Sequence, residues 1–382
     1  MVDLLRQEIA AEADLLVVKV GTRVLTGEDG LLNYDRIAGL SEQIHWAMQH
    51  GRKLVLVSSG AVGAGMGQLG LTQRPTDLSQ LQAVAAVGQS RLVEAYDKAL
   101  GHHGRCAAQV LLTAEDMDDR VRYLNVRNTL LALMEYGAVP IVNENDTVAV
   151  DELLGTFGDN DRLAALLTQL LRAPLLVLLS DVEGLYDGAP DDPKSKVISN
   201  VTAIDDSVRR LVQPSTFGVG RGGMASKLEA ARIATAAGES VILASGFIAG
   251  NLEAILSGEP VGTLFVPQGQ SVSLRKRWIG YTVQPRGWLV IDPGAQRALV
   301  QQGRSLLPIG VVAMRGNYQK GDVVVIEDKA GLEIARGLTN YSAEDLGKIK
   351  GLKSDAIAAV LSHCPYAEVV HRDNLVVTTQ EL

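Results

Sequence analysis

Two lysines stand where lysine is an odd choice. Lys19 interrupts the apolar run "LLVVKVG" (15–21), and Lys227 opens an amphipathic stretch just after "GVGRGGMAS" (218–226). An unpaired ammonium inside a strand is costly, so Lys19 implies either a structural ion pair or an anion held at the strand's end. A cation in the first turn of a helix is disfavoured by the helix dipole unless an anion is also there; without one, Lys227 is a solvated surface lysine. Between the two, "GDND" (158–161) sets Asp159 and Asp161 either side of Asn160 at another helix start, where acidic residues are common on stability grounds alone. Finally, "KLVLVSSGAVGAGMGQLG" (53–70) leaves an apolar strand for a turn with five glycines, a composition that lets backbone amides approach a phosphate. Lysines, amide-rich turns and a carboxylate together suit the binding of anions more than proton transfer.

Other chemistries fit less well. Gly65, Gly67 and Gly70, and again Gly218, Gly220 and Gly223, satisfy G-x-G-x-x-G. Neither set directly follows a strand, as a dinucleotide site requires, and no G-x-x-x-x-G-K-[ST] phosphate loop occurs. The six histidines include no H-x-x-H or H-x-x-x-H pair, which argues against zinc. Ser58 and Ser59 lack the G-x-S-x-G elbow of many hydrolases. Two cysteines, Cys106 and Cys364, are too few for a disulfide framework or metal cluster and read as reduced, buried or half-buried thiols. The first residues, "MVDLLRQEIAAEAD", carry no secretory-signal pattern, and no apolar run reaches the ~20 residues needed to cross a bilayer. A cytoplasmic protein is expected.

The elements that must position these residues alternate. Apolar strands are expected at 14–21, 53–60, 106–113, 138–146, 174–181 and 240–246, separated by amphipathic helices at 33–51, 78–104, 119–137, 160–173 and 222–238. That alternation predicts a mainly parallel sheet sandwiched between helices. Ligands of such sheets bind at the carboxyl ends of the strands. The polar and glycine residues do gather there, in "VKVGTR" (18–23), "VSSGAVGAG" (57–65), "VNEND" (142–146) and "LSDVEGLY" (179–186). After residue 270 the style changes to short strands and glycine-rich turns, predicting a small, mostly β, barrel-like module. Charge changes with it: the chain carries −8 overall, of which residues 270–382 (14 Lys+Arg, 11 Asp+Glu) hold +3 and the rest −11. The expected organisation is one large α/β domain over 1–268, a connector at 269–284, the β module at 285–370 and a tail at 371–382.

These loops resemble the glutamate 5-kinases of the amino-acid kinase superfamily. The matching stretches are "VVKVGTRVLTG", "LVLVSSGAVGAG", "AAVGQSRL", "QVLLTAEDMDDRVRYLNVRNTL", "VPIVNENDTVAV", "GDNDRLAALLT", "LLSDVEGLYDGAP", "GRGGMASKLEAARIA" and "GTLF". They cover nearly the whole chain in the right order, and "IDPGAQRALVQQGRSLLPIGVV", "GNYQKGDVVVI" and "IARGLTNYS" resemble a PUA module. The chain departs from the pattern at Arg23 and Arg221, where the family usually carries a small hydroxyl residue and the threonine of T-G-G-M.

The resemblance implies phosphorylation of the side-chain carboxylate of L-glutamate by ATP with Mg²⁺, the first step of proline biosynthesis. It implies catalytic roles for Lys19, Lys227 and Asp161. Ser59, Asp146, Asn160, Asn143 and Asp159 would bind glutamate, and Lys19, Gly21, Ser180, Asp181 and residues Arg221, Gly222, Gly223, Met224, Ala225, Ser226 and Lys227 would bind ATP. It further implies a homo-oligomer (dimer or tetramer), coupling to the next enzyme of the pathway, and proline as feedback inhibitor near the polar loop "TAEDMDDR" (113–120); glutamate saturation curves unmoved by proline would remove that last expectation. The weak positive charge of the C-terminal part argues against RNA as its partner. The rival readings are a sister kinase acting on aspartate, acetylglutamate, carbamate or UMP, and a non-catalytic RNA-binding protein on a kinase scaffold.

Overall fold

The computed structural model describes residues 3–149, 160–190, 192–212, 223–267, 279–280, 283–361 and 366–378. The chain divides into two compact units, Met1–Ser271 and Val272–Leu382.

In the first unit the strands are β1 (Leu15–Val20), β2 (Lys53–Ser58), β3 (Ala107–Leu112), β4 (Val139–Glu144), β5 (Leu175–Ser180), β6 (Asn200–Val201), β7 (Ser240–Ser245) and β8 (Thr263–Phe265). They form one sheet in the order β3-β4-β2-β1-β5-β7-β8-β6. Pairing is parallel from β3 through to β7; β8 joins β7 antiparallel, and β6 lies parallel to β8. The helices that concern the site are α1 (Leu4–Glu12), α2 (Thr22–Leu25), α3 (Tyr34–Gln49), α4 (Ala61–Leu69), α5 (Leu78–Gly101), α6 (Ala114–Asp118), α7 (Arg120–Glu135), α8 (Asn160–Leu171) and α9 (Met224–Ala236).

Strand order reverses at β1. The chain leaves it for β2 on one side and returns to β5 on the other, so a crevice opens at the carboxyl ends of these strands. Alternation along β1 decides what faces each helical layer. Leu16, Val18 and Val20 join a core with Ile37, Leu40 and Ile44 of α3 and Leu92 and Tyr96 of α5. Lys19 therefore points to the other face, across which α8 packs.

The glycine-rich stretch after β2 is a helix, and most of its glycines serve packing. Gly60, at φ +109°, takes the left-handed conformation that caps α4. A Cβ on Gly65 would lie 1.9 Å from the Val84 carbonyl oxygen, and one on Gly88 1.8 Å from that of Ala61. Gly63 is similarly pressed on Gly30, outside α5. Gly65 and Gly88 let α4 and α5 touch backbone to backbone, while the Gly60 turn and the first amides of α4 stand at the end of β2. The segment expected as a polar loop at 113–120 is also helical: Thr113 and Asp116 form a capping box for α6, and Asp119 accepts from the amides of Val121 and Arg122 to start α7. Cys106 is exposed rather than buried.

The second unit has its own five-stranded sheet, β10-β9-β11-β12-β13, built from β9 (Gly287–Ile291), β10 (Val311–Gly316), β11 (Val323–Glu327), β12 (Glu333–Leu338) and β13 (Leu375–Val377). Only β9 and β11 run parallel; the other neighbours are antiparallel. Leu289, Ile291, Val324, Ile326 and Leu346 belong to a separate core, so each unit carries its own apolar interior.

The α4–α5 contact makes a stability prediction. Gly65→Ala or Gly88→Ala should destabilise by about 3 kcal/mol or more, because the obstructing atoms are backbone. Gly39→Ala, within α3 and with nothing within 4 Å of its added methyl, should stabilise by roughly 0.5–1 kcal/mol. Urea unfolding of the three variants checks the contrast; equal effects would contradict it.

Candidate active site

Three charged side chains from distant parts of the chain meet at the crevice. Asp161, in the first turn of α8, is fully buried. Its Oδ1 lies 2.5 Å from Lys19 Nζ, and its Oδ2 lies 3.2 Å from Lys227 Nζ. Ser226 Oγ donates to the same Oδ2 at 3.0 Å. Both lysines are themselves buried, at 4 % and 7 % exposure for Lys19 and Lys227. Burial by itself would push the Asp161 carboxyl up, but the two ammonium groups outweigh it and hold the pKa down at about 2. Asp161 is thus a fixed anion that two ammonium groups share. Lys19 Nζ also stays close to the turn that follows β1, 3.8 Å from where a Gly21 Cβ would be. The Gly21 amide ties that turn to β5 by donating to the Leu179 carbonyl at 3.1 Å.

A second, uncharged network lies beside the first. Asn160, next to Asp161 in sequence, donates from Nδ2 to Ser59 Oγ and to Asn143 Oδ1, both at 2.9 Å. Asn143, on β4, donates from Nδ2 to Gln89 Oε1 of α5 at 2.8 Å. All four side chains are buried. One amide fixes the next, so the relay sets the orientation of every group in it. Ser58 Oγ and Tyr96 Oη, 3.0 Å apart, brace the strand end from the opposite face; burial pushes the Tyr96 phenol well above its usual range.

Asp146 follows β4 and is 7 % exposed. Burial raises its pKa to about 6, against the partial offset of the Arg74 guanidinium. A carboxylate so placed is short of a cation. At the other side of β1, Arg23 Nη1 of α2 meets Asp181 Oδ2 at 2.7 Å, and Ser180 Oγ donates to Asp181 Oδ1 at 3.0 Å. Gly223 caps α9, with Met224, Ala225, Ser226 and Lys227 in its first turn.

The residues singled out from sequence therefore fall into groups. Lys19, Asp161, Lys227 and Ser226 form one; Ser59, Asn143 and Asn160 form another; Ser180 and Asp181 sit with Arg23 at the end of β5. Asp159, Arg221 and Gly222 lie outside the described residues. Gln89 was not singled out, although "AAVGQSRL" contains it, because a glutamine in mid-helix carries no local signal of its partner 54 residues away. Tyr96 likewise reads as an ordinary core aromatic.

The amino acid kinase family model matches residues 14–245, and the PUA domain model residues 287–361. The glutamate 5-kinase of Rhodopirellula baltica is 48 % identical over 372 residues, covering 97 % of this chain and 96 % of that one. Those of Caldanaerobacter subterraneus and Moorella thermoacetica are 46 % and 47 % identical over 363 and 368 residues, covering 95 % and 96 % of this chain and 97 % of each relative. The chain belongs to the glutamate 5-kinase family of amino acid kinases, with a PUA module following the kinase unit.

Removing the central anion tests the electrostatics. Asp161→Asn removes the carboxylate that two buried ammonium groups share and should cost about 3–5 kcal/mol of stability at neutral pH. Denaturant unfolding measures it. A cost below about 1 kcal/mol would mean that Asp161 does not hold the lysines.

Proposed function

We propose that the chain transfers the γ-phosphoryl group of ATP to the side-chain carboxylate of L-glutamate, forming glutamyl 5-phosphate at the start of proline biosynthesis. The observation that carries this reading is the meeting of two buried ammonium groups, Lys19 and Lys227, on Asp161 at a strand-end crevice, in a chain that shares 45–48 % identity with glutamate 5-kinases across nearly its full length.

The acceptor carboxylate is already an anion at neutral pH and needs no general base. What the reaction requires is alignment of two anions that repel each other, and neutralisation of the charge on the phosphoryl group between them. In this reading Lys19 contacts the transferring phosphoryl from the acceptor side and Lys227 from the nucleotide side. Asp161 holds both ammonium groups in place, and Ser226 secures the carboxylate's Oδ2. The Gly21 turn lies against the transferring group. Ser59, with the first amides of α4 beyond Gly60, cradles the glutamate; Asn143 and Asn160 orient it, and Asp146 takes its ammonium group. Ser180, Asp181 and the opening of α9, from Gly223 on, flank the nucleotide.

ATP enters as its Mg²⁺ complex. The groups facing the proposed anion path are lysines, amides and hydroxyls, which suit phosphate oxygens better than a divalent cation. Among the described residues no set of three Asp, Glu, His or Cys side chains could hold a metal. The ion therefore belongs with the nucleotide's phosphates, where it shields their charge. Among the described residues no helix is long and apolar enough to cross a membrane, and we place the enzyme in the cytoplasm, where ATP and reduced thiols are at hand.

Two results follow. With ATP, Mg²⁺ and glutamate, trapping by hydroxylamine should give the γ-hydroxamate, with aspartate and acetylglutamate inert; Lys19→Ala or Lys227→Ala should lower kcat about 10²–10³-fold, the scale of a lost transition-state donor. Hydroxamate from another carboxylate in place of glutamate would contradict the reading. The second concerns pH. Asp146 binds an ammonium only when ionised, so KM for glutamate should rise as pH falls through about 6. Asp146→Asn should raise KM throughout and abolish that rise. Folding takes the opposite sign. A carboxyl whose pKa is raised by the fold burdens stability above about pH 6, and the burden lifts as pH falls from about 6 toward the ordinary carboxylate range, so the Asn variant should melt higher than the parent at neutral pH. A pH-independent KM in the parent enzyme would remove Asp146 from the ammonium site.

A further inference from the structure

Arg23 stands two residues beyond the turn that closes β1, in the short helix α2. Its side chain is 60 % exposed, yet its guanidinium reaches Asp181, at the end of β5, with Nη1 2.7 Å from Oδ2. The backbone beneath it is fixed. Arg36 donates from Nη1 to the carbonyls of Arg23 and Thr26 at 3.0 and 2.7 Å, and its own guanidinium stacks on Phe247. Asp181 is fixed as well, because Ser180 Oγ holds its Oδ1. Both oxygens of Asp181 are thus engaged, and the ion pair ties the ends of β1 and β5 together across the crevice.

This placement raises an electrostatic question. Asp181 is half-buried and stays ionised, at the same strand ends where the cationic cluster gathers. If Arg23 did not pair with it, a polyphosphate approaching that cluster would meet the negative charge of Asp181. The half-buried setting weakens screening by salt, so the repulsion is felt across several ångströms.

We infer that Arg23 is a positioning residue for the nucleotide: by neutralising Asp181 and fixing its rotamer, it keeps the β5 strand end permissive to a polyanion. Its effect passes through Asp181 and not through contact with the acceptor. The inference rests on the kinase reading only in taking a polyphosphate as the ligand. An arginine that contacted phosphate directly would behave differently, since neutralising Asp181 could not replace it.

Removal of the pair's cation is therefore tested together with removal of its anion. Arg23→Ser should raise KM for ATP about three- to tenfold, as expected for a partly screened charge, with KM for glutamate unchanged. The increase should shrink as ionic strength rises, and Arg23→Lys should restore most of the affinity. In an Asp181→Asn background, whatever that change itself does to KM for ATP, adding Arg23→Ser should alter KM by less than about twofold, whereas an arginine contacting phosphate directly would cost as much there as in the parent. An unchanged KM for ATP in Arg23→Ser overturns the inference, and so does an equally large increase in the Asp181→Asn background. If hydroxamate forms from a carboxylate other than glutamate, the substrate assignment fails, and KM for ATP with that acceptor still tests Arg23.

Discussion

One buried carboxylate between two buried ammonium groups organises this enzyme. Lys19 comes from the central strand, Asp161 from the first turn of α8 and Lys227 from the first turn of α9, so the cluster exists only when all three elements have docked. Burying any one of these charges alone would be prohibitive. Together they compensate one another. In the proposed reaction the two ammonium groups, held in a poorly solvated crevice, would act on a transferring phosphoryl group more strongly than in water.

The neutral network complements the charged one. Asn160 and Asp161 are consecutive, yet one enters the amide relay to Ser59, Asn143 and Gln89 while the other binds the lysines. The first turn of α8 therefore locks the two networks in a common frame. Because the relay runs from the end of β2 through α8 and β4 to α5, its geometry is tied to the packing of α5 on α4. In the proposed reaction the glycines of that contact would serve substrate alignment through geometry, away from any direct touch on phosphate.

Much of this was legible in the sequence, and the reasons differ by feature. The parallel sheet and the strand-end crevice follow from apolar strands alternating with amphipathic helices. Lys19 stood out because a charged residue in a buried strand demands an explanation. The glycine stretch was misread as a loop, since composition alone does not separate a phosphate turn from a helix thinned for close packing; only the neighbour, α5, decides. The helix at 120–135 was expected from its apolar spacing, but the short capped helix at 114–118 was hidden because Thr113 and Asp116 work locally as its caps. Gln89 and the Arg23–Asp181 pair depend on contacts 54 and 158 residues apart, which no local pattern encodes.

The most direct measurement is a crystal structure of the enzyme with glutamate and a non-hydrolysable ATP analogue. The account predicts both Lys19 Nζ and Lys227 Nζ within hydrogen-bonding distance of oxygens flanking the phosphoryl to be transferred, with Asp161 still joined to each. Either ammonium directed to bulk solvent in that complex, or an Asp161 released from both lysines, would contradict it.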